Sequence, residues 1–154
     1  MEGIVNFLLS DNQEAIELRA NYIIYVVPMI NIDGVMNGNK ITNMAGIDLN
    51  QQWQNPSPYL APVIFAIKQL MNMVKAERDI EMYFDLQSHD KSSCSYVHGN
   101  SWDGQGSIQK KYESNAKLRL IPYMLTQMNN HFQIDKSIFN LELNTATSAH
   151  QVLC

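Results

Sequence analysis

The chain has 154 residues, a formal net charge of −4, 45% hydrophobic content and 17% charged content. This composition excludes a disordered polar tail, and with no Lys/Arg run longer than two it excludes the electrostatic footprint of nucleic-acid binding. No uninterrupted apolar run approaches ~18 residues, so no membrane span is expected. Two cysteines, Cys94 and Cys154, are too few for a disulfide framework and point to a reducing, cytoplasmic setting. The first residues lack the basic segment and cleavage site of a signal peptide.

Ile4, Phe7 and Leu8 fall at helical spacing and predict a short helix over 3–9. Asp11 or Asn12 can cap a second helix, with Glu14 in its first turn, ending near Ala20. Tyr22–Val27 is a β-branched and aromatic run closed by Pro28, the pattern of a strand covered on both faces. Residues 31–39 and 45–53 read as polar loops, and the first is dense in Asn, Asp and Gly. Ser57 can cap a helix with Pro58 in its first turn. Leu60, Val63, Ile64, Ile67, Leu70, Met71 and Val74 keep a four-turn stripe. The Met71 and Met73 pair reads as core filler.

Ile80–Leu86 and Ser92–His98 return to strand character. Residues 108–131 predict a helix interrupted at Pro122, and Phe132–Leu143 predict a further strand. A last helix begins at Thr145 and runs to Cys154. A polar loop just after a buried strand is where α/β sheets place ligands.

Three blocks of this chain resemble a known signature. They are the run VVPMINIDGVMNGN, then AGIDLNQQW, then Asp85-Leu86-Gln87-Ser88-His89-Asp90. In order and spacing they are similar to the N-P-D-G-V-x-x-G-N, G-x-D-L-N-R-x-W and D-L-H-G-H-S blocks of the zinc metallocarboxypeptidases, closest to the cytosolic carboxypeptidase subfamily. The resemblance implies an α/β fold with a mixed central β-sheet flanked by helices, here as a single partial domain, 1–154, truncated at both ends. It also implies zinc as cofactor and protein C-terminal tails as substrates, with polyglutamylated tubulin among them.

The family's chemistry needs two His and one Glu on zinc, an oxyanion Arg, an Asn-Arg carboxylate clamp and a general-base Glu. Carried over position by position, the resemblance finds most of these replaced. The H-P-G-E segment that supplies two ligands has no counterpart, because Met1 lies beyond the point where it should end. Gln87 stands at the third-ligand position and Ile41 at the oxyanion Arg. Asn50 of the clamp remains, but Gln51 replaces its Arg. The general-base segment has no counterpart either, and Glu142 does not occupy its motif.

Neutral side chains at 41, 51 and 87 favour a pseudoenzyme-like binding domain with no catalytic residue and no zinc of its own. Asp85 and His89 share the face of Gln87 by strand period and form an alternative metal pair; the plainer reading is that both are satisfied by local hydrogen bonds. Asp33 and Asp48 read as braces of turns, and His98, His131 and His150 as isolated residues. Two further expectations stay open. The chain can be an incomplete gene model of an active metallocarboxypeptidase, or a structural module that needs a partner.

Overall fold

The computed structural model describes residues 1–88, 93–99 and 107–139. His89, Glu142, His150, Cys154, the first residue of the predicted 92–98 strand and the helix expected from Thr145 lie outside the described residues.

Five α-helices organise what is described: α1 (Glu2–Leu9), α2 (Gln13–Asn21), α3 (Ile32–Met36), α4 (Pro62–Glu77) and α5 (Ile108–Met128). Short 3-10 turns occupy Leu49–Gln52 and Ile134–Lys136. The capping logic of α2 holds, because the Asn12 side chain accepts from Glu14 N at 3.1 Å. Arg19 ties α2 back to α1 by donating to the carbonyls of Leu8 and Ser10. Their free acceptors at the end of α1 are thereby partnered.

Three helix boundaries depart from the sequence expectation. α3 forms inside the stretch read as loop, because the Asn31 side chain accepts from Gly34 N at 3.2 Å and supplies the cap. α4 starts at Pro62 instead of near Pro58. Ser57 instead organises the preceding turn, its hydroxyl accepting from Tyr59 N and Leu60 N at 3.3 and 3.2 Å. α5 runs unbroken through Pro122, which lies buried inside it. A single missing N–H in a helix of 21 residues does not end it here.

The expected central β-sheet is not present among the described residues. Their β pairing is confined to isolated bridges, Thr42 with Asp48, Ser95 with Phe132 and His98 with Ile138. The predicted Phe132–Leu143 strand is interrupted by the 3-10 turn at Ile134–Lys136 and touches 95–98 only on either side of it. No backbone group of residues 23–27 takes part in a backbone hydrogen bond among the described residues. The same is true of residues 80–87. An apolar β-branched run marks a segment fit for a sheet, but a ladder also needs a second extended segment alongside. Among the described residues neither run has one paired to it.

The consequence is a small core. Leu49, Trp53, Ala61 and Ile64 are buried together, with Ile30, Ile67, Met71 and Tyr83 packed against them. Trp53 meets Tyr83 edge to face, with centroids 6.3 Å apart and planes at 75°. Met71 serves this core, but its neighbour Met73 is 63% exposed and does not. The chain's accessible surface is 11753 Å². A compact monomer of 17.6 kDa would show about 7,900 Å².

Gly34 marks the tightest point. A Cβ there would lie 2.2 Å from Asn31 Nδ2 and 2.5 Å from the Thr42 carbonyl oxygen. Gly34→Ala is therefore expected to lower stability by about 1–3 kcal/mol in urea unfolding. Gly3→Ala, with nothing within 4 Å of the added carbon, is expected to leave stability unchanged or raise it by about 0.5–1 kcal/mol.

Candidate functional site

The site is built on the loop from Asn31 to Trp53, and one buried side chain sets its shape. Asn43 is 6% exposed. Its Oδ1 accepts from both Ala45 N and Ile47 N at 3.0 Å, and its Nδ2 donates to the Leu60 carbonyl at 2.7 Å. The turn between those contacts passes through Gly46 at φ +75°, a left-handed conformation that glycine adopts without penalty. Two further amides lace the loop across its width. Asn31 Nδ2 donates to the Thr42 carbonyl at 3.0 Å, and Asn39 Nδ2 to the Asn43 carbonyl at 3.2 Å.

Beyond this turn Asp48 caps the 3-10 turn Leu49–Gln52. One carboxylate oxygen accepts from Asn50 N at 3.0 Å, and the other accepts from Gln51 Nε2 at 3.1 Å. Asp48 thus braces a turn, as its sequence context implies. Leu49 and Trp53 point into the core while Asn50 and Gln51 face out. Lys68 of α4 secures the end of the loop by donating to the carbonyls of Trp53 and Gln54 at 2.8 and 2.5 Å.

Gln87 crosses from the 80–87 segment to this loop. Its Nε2 donates to Asn50 Oδ1 and to Asp85 Oδ2, each at 2.9 Å. Asp85, Gln87 and Asn50 are therefore brought together, with Gln51 one residue along and paired to Asp48. Ile41 stands apart, 53% exposed and in none of these hydrogen bonds. Asp85 accepts from the Gln87 amide.

Tyr83 lies where the core meets the polar cluster. Burial, with the Asp85 charge second, pushes its phenol up from 10.0 to about 12. The neutral phenol is favoured in the folded chain. Its contribution to stability is present in full below pH 10 and is lost as pH rises through 12.

Among the described residues no three His, Cys, Asp or Glu side chains gather into a possible metal group. Gln87 spends its amide hydrogens on Asn50 and Asp85, and an amide oxygen is a weak zinc ligand beside imidazole. Elsewhere, His98 and His131 are exposed. Cys94 is half-buried, not packed in a core, and accepts from Lys136 Nζ at 3.3 Å. Sequence reasoning missed Asn43, Lys68 and Tyr83. Asn43 stands two residues from Ala45 and four from Ile47 in a turn-rich stretch, the spacing at which an Asn side chain replaces backbone pairing.

No family model matches the chain. Curated relatives do. It is 32% identical over 162 aligned residues to "Cytosolic carboxypeptidase 1" of Danio rerio, a match covering 99% of this chain and 14% of that protein. To "Cytosolic carboxypeptidase 1" of Homo sapiens it is 31% identical, covering 99% and 13%. To "Cytosolic carboxypeptidase 6" of Caenorhabditis elegans it is 28% identical, covering 99% and 33%. The chain thus spans between about a seventh and a third of these relatives' length. Its backbone also superposes on a metallo-carboxypeptidase from Burkholderia cenocepacia with a TM-score of 0.78 and 22% identity, covering 97% of this chain and 38% of that one.

Titration followed by tyrosine absorbance is expected to show one late step near pH 12, absent in Tyr83→Phe. Over nearly its whole length the chain is thus similar to the cytosolic carboxypeptidases.

Proposed function

We propose that this chain is a carboxypeptidase-derived binding domain that has lost hydrolysis and kept a surface for protein C-terminal tails. The observation that carries this reading is the Gln87 amide bridging Asn50 and Asp85. At the position where the family places a zinc-binding imidazole stands a side chain engaged in neutral hydrogen bonding. A metal-bound water with a lowered pKa is what drives this family's hydrolysis. Nothing among Asn50, Gln51, Asp85 and Gln87 supplies an equivalent: the three amides are neutral, and the Asp85 carboxylate is negative where a positive charge is needed.

The rest of the machinery agrees. Ile41 offers no hydrogen-bond donor to a developing oxyanion. Gln51 gives up the bidentate guanidinium fork, and its amide is turned to Asp48. Asn50 keeps its Nδ2 hydrogens for a ligand while its Oδ1 is held by Gln87. An amide donor on a shaped loop can still hold a tail's carboxylate, though weakly. The tails of the family's substrates, tubulin's glutamate-rich end among them, are the ligands we propose, in the cytoplasm and without zinc.

Metal analysis of purified protein is expected to find far less than one zinc per chain, with no release of C-terminal glutamate from a tail peptide. About one zinc per chain together with glutamate release would overturn the reading and make the chain an active enzyme. Gln51→Arg is expected to tighten binding of a glutamate-terminated peptide about tenfold, roughly 1.4 kcal/mol, as followed by calorimetry.

A further inference from the structure

The loop 31–53 contains two adjacent residues whose chemistry tail binding does not use. Asn37-Gly38 is the one Asn-Gly pair in the chain; a residue with a side chain follows every other asparagine. Both residues are exposed. Gly38 stands at φ +74°, and nothing lies within 4 Å of where its Cβ would be. No methyl or methylene of its own screens its nitrogen from the Asn37 side chain.

We infer that Asn37 is a site of spontaneous deamidation through a cyclic imide formed with Gly38. The Gly38 backbone nitrogen, giving up its proton, attacks Asn37 Cγ and forms a new C–N bond. The bond from Cγ to Nδ2 breaks, and ammonia leaves with that proton. Water then opens the five-membered imide at either carbonyl. One opening gives aspartate; the other reroutes the backbone through Cγ and gives isoaspartate. No oxidation state changes, and water is the only co-reactant.

The folded loop sets the rate. At a ψ of −5° the Gly38 nitrogen eclipses the Asn37 nitrogen instead of its Cβ. The Gly38 N–H also donates to the Val35 carbonyl at 3.1 Å. Ring closure requires both to be undone, so the reaction proceeds from a locally opened turn. Opening costs little at the end of α3, a helix five residues long.

The other amides of the loop are held differently. Asn31, Asn39 and Asn43 donate through Nδ2 to the carbonyls of Thr42, Asn43 and Leu60, and the bulky Ile32, Lys40 and Met44 follow them. Asn37 Nδ2 reaches the sulfur of Met44, a weak acceptor. A carboxylate at 37 has no hydrogen to give that sulfur. The isoaspartyl form also adds a backbone carbon just ahead of Asn39, whose amide laces the loop.

The reaction needs only two neighbouring residues, so this inference does not rest on tail binding, and its test leaves that reading untouched. Incubation of the full chain in mildly alkaline buffer, followed by peptide mass mapping, is expected to convert Asn37 first among the asparagines, with isoaspartate exceeding aspartate. Gly38→Ala is expected to slow the conversion at least about tenfold, because a methyl group then crowds the attacking nitrogen. At φ +74° alanine also strains the turn. A turn opened by strain would react faster, so slower conversion isolates the ring-closing step. Asn37 unchanged while another asparagine converts, aspartate formed without isoaspartate, or equal rates with glycine and alanine at 38 would each overturn the proposal.

Discussion

The carboxamide of Asn43 is the contact on which the rest of the described structure depends. It is small and buried, and it makes three hydrogen bonds. Two backbone N–H groups reach its oxygen and one distant carbonyl takes its nitrogen. The first two contacts close the turn that aims Asp48 and Leu49. The third pulls that turn against Leu60, just ahead of α4. Leu49 and Trp53 can then meet Ala61 and Ile64, which makes the core. Removing one partner from such a set leaves buried polar groups unpaired, at about 1–3 kcal/mol each. A core cluster of four buried residues has little to offset that loss.

The functional residues inherit their positions from this turn. Asn50 and Gln51 sit on the outer side of the 3-10 turn whose inner side is Leu49 and Trp53. Gln87 reaches Asn50 from a segment anchored through Tyr83, whose ring meets Trp53 edge to face. Packing thus holds the geometry of the polar cluster, while the identities of its side chains decide the chemistry. At positions 51 and 87 those side chains are amides, hydrogen-bonded to Asp48, Asn50 and Asp85. The frame and the chemistry are separable because the buried contacts never involve positions 41, 51 and 87.

Much of the site was legible in the sequence, and less of the fold. The Asn, Asp and Gly spacing of 31–53 announced a loop with tight turns, and Asp48 braces one of them. Positions 50, 51 and 87 were singled out from the sequence, and the structure sets Gln87 beside Asn50. Helix periodicity marked α1, α4 and α5, a 3.6-residue stripe being a local property, and capping residues marked α2; the expected break at Pro122 did not appear. The sheet was a different matter. Tyr22–Val27 has the composition of a buried strand, yet a strand is defined by its neighbour, and composition does not name one. Asn43 escaped notice for a related reason: its importance lies in reaching Leu60, 17 residues away.

A loop scaffold closed by one amide, beside an apolar segment with no internal ladder, makes opposite demands on neighbouring stretches of backbone. Amide hydrogen exchange on the full chain measures both at once. Protection of Ala45 and Ile47, at least about a hundredfold above Ile23–Val27, is the predicted result. Strong, even protection across Ile23–Val27, with Ala45 and Ile47 exchanging freely, would contradict it.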